Sequence, residues 1–156
     1  MSEDRQRVAG DVLLHPLTLA MIGVWLVNDH WLKNAHPSWL TGKLSDVTSL
    51  VVCPLLVLAA VEIGWPRLSR TARRGVLIAA LAAVGGMMLS IKLFDLAAQA
   101  YCSGLGVLQW PVRALMSLAV GEAVAPPRDV KLAMDASDLL TLPSLAVAWL
   151  LGRGEH

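Results

Sequence analysis

Apolar residues run along this chain in long blocks separated by short polar stretches, a pattern that suits helices meeting lipid rather than strands or helices with one wet face. The first block, residues 12–32, carries Pro16 in its first turn, where a missing N–H costs little, and turns polar at Asn28, Asp29, His30 and Lys33. It follows a basic start at Arg5 and Arg7. It is too long for a signal peptide and no A-x-A site follows, so a retained helix is expected. The second block, residues 44–65, reverses the layout. It opens on Ser45, Asp46, Thr48 and Ser49 and continues apolar from Leu50, with Pro54 predicting a kink because the Leu50 carbonyl loses its usual partner. The third, residues 76–98, is apolar to Leu89 and then carries Ser90, Lys92, Asp95 and Gln99.

Residues 105–124 are apolar enough to suggest another span but include Gln109, Pro111, Arg113 and Glu122. An arginine near mid-membrane costs about 2.5–3.5 kcal/mol on insertion scales. An interfacial or re-entrant amphipathic helix over about 107–123, anchored by Trp110, is therefore expected, with a fifth span as the rival. The last block, residues 139–151, is too short for a hydrocarbon core of about 30 Å. It reaches span length only by starting near Met134 and taking in Asp135 and Asp138. The expected architecture is all-α. It is a single membrane domain, residues 1–156, an integral membrane bundle of four transmembrane helices at about 12–32, 44–65, 76–98 and 134–152, with the amphipathic helix between the last two.

Composition supports this picture: 56% of the 156 residues are hydrophobic, above the 45–50% or so usual for soluble domains. The net charge of +1 hides an uneven distribution. Residues 66–74 hold Arg67, Arg70, Arg73 and Arg74 and no acid, which the positive-inside rule assigns to the cytoplasm. The N-terminus is then cytoplasmic and the connection 34–43 lies outside. Nothing argues for nucleic acid binding. The expected partners are the lipid bilayer and, beyond it, a membrane protein partner or a lipid ligand. Cys53 and Cys102 fall at different depths of this scheme, which argues against a disulfide.

With four spans, the polar ends of all four helices converge on the outer side. Asp29 and Lys33 are i,i+4 neighbours; Asp46, Ser49 and Cys53 share one helical face, as do Lys92, Asp95 and Gln99, and Asp135, Asp138 and Thr141. The bland account is that lysines snorkel and that acids such as Asp46 and Asp138 cap helix starts. A plain bundle, however, needs neither an intramembrane Lys92–Asp95 pair nor a doubled Asp135-x-x-Asp138, so the set points to a polar pocket open to the outside, formed by Asp29, Lys33, Lys43, Asp46, Lys92 and Asp135. A zinc site is not indicated, because no His or Cys spacing fits one; Asp46, Asp95, Asp135 and Asp138 could supply a harder cation. No phosphate loop, nucleophile elbow or H-E-x-x-H helix occurs, and no cofactor is expected. Gly85-Gly86 is expected to permit close helix packing.

The block from Asn28-Asp29-His30 through Pro37 to Asp46, with its T-G-K-L-S-D run, together with Asp135-Ala136-Ser137-Asp138-Leu139-Leu140 and Leu142-Pro143, resembles a family of small bacterial integral membrane proteins. That resemblance covers most of the chain and implies no activity. A second resemblance is to signal peptidase II, the four-span aspartyl protease of the bacterial inner membrane. Its D-Q-x-x-K is matched by Asp29 and Lys33, with His30 for the Gln. Its two catalytic aspartates are matched by Asp95, without the flanking Asn and Arg, and by Asp138, at the end of Asp135-Ala136-Ser137-Asp138. This resemblance implies an intramembrane hydrolase in which two carboxylates share one proton. Three readings stand: a partner-binding or scaffold subunit without catalysis, a hydrolase using Asp95 and Asp138, and a lipid- or ion-handling protein in which Lys43 and Lys92 meet an anionic headgroup.

Overall fold

The structure, a computed structural model, describes residues 8–132 and 135–154; Arg5, Arg7, Met134 and His156 lie outside them. Among the described residues all regular secondary structure is helical, with no strand, and the chain falls into two compact units. The first comprises residues up to 86 and from 138 onward, the second residues 87–137.

In the first unit the chain enters through a 3-10 turn, Asp11–Leu14, introduced by Gly10 at φ +80°, a backbone conformation that glycine adopts without a Cβ penalty. Helix α1 (Pro16–Val27) starts on the proline foreseen at its first turn, with the His15 Nδ1 accepting from Leu17 N. It widens into a π-turn, Asn28–Leu32, and ends in a single helical turn, Lys33–Ala35. Helix α2 (Trp39–Gly64) begins with a capping box. Ser38 Oγ accepts from Thr41 N while Thr41 Oγ1 accepts from Ser38 N, at 3.3 and 3.1 Å, so orphan donors at the helix start are matched. α2 runs through Pro54 without interruption and stops at Trp65, the residue before Pro66, where helical backbone is disfavoured.

Helix α3 (Arg70–Leu93) follows after five residues, so Arg70, Arg73 and Arg74 belong to its first turns rather than to a loop. Leu77 of α3 packs with Val51, Leu55 and Leu58 of α2 and with Ala148 and Leu151 to form the buried core, which also takes in Val12. The two halves of Gly85-Gly86 differ: a Cβ on Gly85 would meet the Leu145 side chain at 2.9 Å, whereas Gly86 faces open space. The tighter glycine contact is at Gly152, where a Cβ would stand 2.7 Å from Leu77.

The second unit is built on α4 (Asp95–Ala119). Phe94 adopts extended backbone between α3 and α4, so the expected helix 76–98 ends early and the expected amphipathic helix 107–123 is the second half of a longer one. α4 closes on a Schellman motif at Gly121, φ +76°, with Glu122 N donating to Ser117 O and Gly121 N to Leu118 O. The chain then returns along α4. Val130 N donates to Cys102 O, Trp110 Nε1 donates to Ala125 O, and the Arg128 backbone lies so close to Gly106 that a Cβ there would sit 2.3 Å from its carbonyl oxygen.

The expectation of four transmembrane helices is not supported. α2 and α3, about 39 and 36 Å long at 1.5 Å per residue, are the two helices long and apolar enough to cross a membrane among the described residues. The first block divides because His15 and the π-turn leave α1 at 12 residues, about 18 Å. The last divides because Asp138 and Pro143 fall within a 3-10 helix, Ala136–Ser144, which gives way to a nine-residue α5 (Leu145–Arg153).

Candidate functional site

The first unit places buried polar groups at both ends of α2. At its N-terminal end Lys43, 7% exposed, forms an ion pair with Asp138, equally buried, and stands over the Trp39 ring at 5.3 Å. Thr141 Oγ1 donates to the Asp138 carbonyl at 2.6 Å, tying down the 3-10 turn that carries the acid. Beside this pair, the π-turn aims two side chains at α2: Asn28 Nδ2 donates to Thr41 O at 2.8 Å, and Asp29 Oδ1 accepts from Ser45 Oγ at 2.7 Å. Asp29 also accepts from Trp25 Nε1 at 2.9 Å and pairs with Lys33 at 2.8 Å. Partial burial pushes the Asp29 carboxyl upward, but the hydrogen bonds from Lys33, Ser45 and Trp25 and the charge of Lys33 outweigh it, and the net effect holds the group below its ordinary range.

At the other end of α2 is a cluster that the sequence pattern does not single out. Glu62, 8% exposed, accepts from Arg73 Nε at 2.5 Å and from Gly10 N at 2.9 Å, and Arg73 Nη1 donates to the Gly152 carbonyl. One ion pair thus joins the end of α2, the start of α3, the N-terminal 3-10 turn and the end of α5. Counted as a loop arginine, Arg73 carries only a charge; the available signal was Glu62, an isolated acid at the end of an apolar helix, eleven residues before it.

The other expected residues divide between the two units. Asp46 lies half-buried in the second turn of α2 and Asp135, in the second unit, accepts from Ser137 N at 2.8 Å. The expected Lys92–Asp95–Gln99 stripe is interrupted at Phe94: Lys92 is buried at the end of α3, while Asp95 opens α4 and is exposed, its carboxylate next to the positive end of the helix dipole. Asp95 and Asp138 belong to different units. Among the described residues no three His, Cys, Asp or Glu side chains gather to hold a metal ion, and the four acids Asp46, Asp95, Asp135 and Asp138 are divided between the two units. Cys53 and Cys102 are free thiols.

Two polar levels on one helix define what the arrangement can do. Lys43 and Glu62 are separated by 19 positions (62 minus 43) of continuous α-helix, about 28 Å at 1.5 Å per residue. Both flanking segments follow α2 from one level to the other: Gly10 and Asp29 mark the N-terminal one, Asp138 and Gly152 the C-terminal one. No protein-family model, no curated protein and no solved structure matches the chain.

Proposed function

We propose that the protein is an integral membrane scaffold or binding subunit without catalysis, in which α2 and α3 are continuous spans and the segments flanking α2 lie in the bilayer beside it. The observation that carries this reading is the separation of about 28 Å between the Lys43–Asp138 and Glu62–Arg73 levels, which equals the thickness of a hydrocarbon core to within a few ångströms. Between the levels, beyond the first turns that hold Ser45, Asp46, Thr48 and Ser49, α2 presents Leu50, Val51, Val52, Leu55, Leu58 and Ala59 to the interior. The positive-inside rule puts the Arg67–Arg74 end in the cytoplasm, with the Gly10 end beside it. The resemblance to small bacterial membrane proteins supports the inner membrane as the compartment.

The chemistry at the outer level favours structure over turnover. Asp138 is committed to an ammonium, a different arrangement from two carboxylates sharing a proton. Its carboxylate joins two elements, as that of Asp29 does.

The protein is expected to stay in the membrane pellet after alkaline carbonate extraction. In a cysteine-free background, a membrane-impermeant maleimide should label His36→Cys in intact cells and Gly64→Cys, whose Cβ position is open, only after lysis. Release by carbonate, or equal labelling of both sites in intact cells, overturns the reading.

A further inference from the structure

Beside the Glu62–Arg73 pair, a cavity of about 290 Å³ is walled by Arg70, Arg73 and Arg74 of α3 and by Trp149, Gly152 and Arg153 of α5. Among the described residues, four guanidinium groups and no acid line it. Glu62 meets Arg73 from outside this lining. We propose that this cavity binds an anionic phosphoryl group, presented by a lipid headgroup or by free phosphate.

Three observations lead there. First, Arg73 is fixed. Its Nε and Nη1 are held by Glu62 and by the Gly152 carbonyl, and the residue is buried, so it forms a rigid wall rather than a mobile surface charge. Second, Arg74 lies over the Trp149 ring at 5.4 Å. Stacking occupies the face of a guanidinium and leaves its N–H edge available, the edge that binds phosphate oxygens in pairs. Third, Arg153 ends α5 beside the Gly152 carbonyl that Arg73 holds, so that contact joins the backbone carrying Arg153 to the arginine-bearing start of α3. A single carboxylate satisfies one guanidinium fork, whereas a phosphoryl group offers three acceptor oxygens to groups converging from two helices. Loop arginines that only set topology need neither a cavity nor a stacking partner.

The lipid source rests on the membrane reading above, where the cavity opens at the cytoplasmic face, and there anionic headgroups are recognised by basic pockets between helices. The free-phosphate source does not depend on that reading.

The full-length protein in mild non-ionic detergent is titrated with phosphatidylglycerol, phosphatidylcholine and inorganic phosphate, with adducts read by native mass spectrometry. A single phosphatidylglycerol adduct at least tenfold tighter than that of phosphatidylcholine, weakened at least tenfold in Arg74→Gln/Arg153→Gln and unchanged in Arg113→Gln of the second unit, supports the site with lipid as source. Phosphate binding that the same double variant removes, without preference for phosphatidylglycerol, supports it with free phosphate as source. The charge-preserving pair Arg74→Lys/Arg153→Lys guards against misfolding: it should still weaken binding several-fold, because the forked geometry is lost. The proposal is overturned if neither probe binds selectively, or if either double variant keeps wild-type affinity. A protein that resists carbonate yet binds neither probe fails this inference alone; one that carbonate releases but that binds phosphate fails only the membrane reading.

Discussion

Asp29 shows how much a single side chain can be asked to join. It accepts from an indole one turn earlier and a hydroxyl on the next helix, and pairs with a lysine one turn later, and these contacts together outweigh its desolvation. Its pKa is lowered on folding, so its contribution is fully present above the unfolded carboxylate value, about 3.9, and is lost as pH falls through the folded value. Thermal unfolding in detergent should therefore show wild type above Asp29→Asn at pH 6, with the gap closing below about pH 4. A gap that does not narrow as pH falls below about 4 contradicts the assignment. The Asp29–Lys33 pair was legible from i,i+4 spacing alone, because both partners lie on one helical turn. Lys43 and Asp138 were both recognisable as unusual, but not as partners: 95 residues separate them, and helical period carries no information across such a distance.

For the elements, the two helices with the longest uninterrupted apolar runs, α2 and α3, were readable from pattern. The breaks were not. Phe94 interrupts a run that hydropathy treats as continuous, and Pro143 turns apparent span into 3-10 backbone. Glycine roles were legible only in part, since the structure gives the close approaches to Gly85, Gly106 and Gly152 and none to Gly86. Gly106 admits a sharp test. A Cβ there collides with the backbone of Arg128 rather than with a flexible side-chain end, so Gly106→Ala must push the returning segment away from α4. Hydrogen exchange at Val130, whose N–H is bonded to Cys102, should rise at least tenfold, while Gly104→Ala, which meets nothing, leaves it unchanged. Unaltered protection in Gly106→Ala would mean that the segment does not pack there.

Across the whole molecule, the two buried ion pairs act as end clamps on α2. Removing one partner of such a pair leaves a buried charge and costs about 3–5 kcal/mol, whereas replacing both with apolar groups of similar volume is often near neutral. Lys43→Met alone should lower the unfolding temperature sharply, and Lys43→Met/Asp138→Leu should recover most of the loss. A double variant no more stable than the single would instead give Lys43 or Asp138 a role outside the pair. The clamps also have a consequence for synthesis. Asp138 is made 95 residues after Lys43, so at about 5–20 residues per second the lysine waits roughly 5–20 s for its counter-ion. During that interval the nascent chain holds Lys43 before the carboxylate of Asp138 has been made, and a translation arrest before residue 138 leaves the clamp at that end of α2 unclosed.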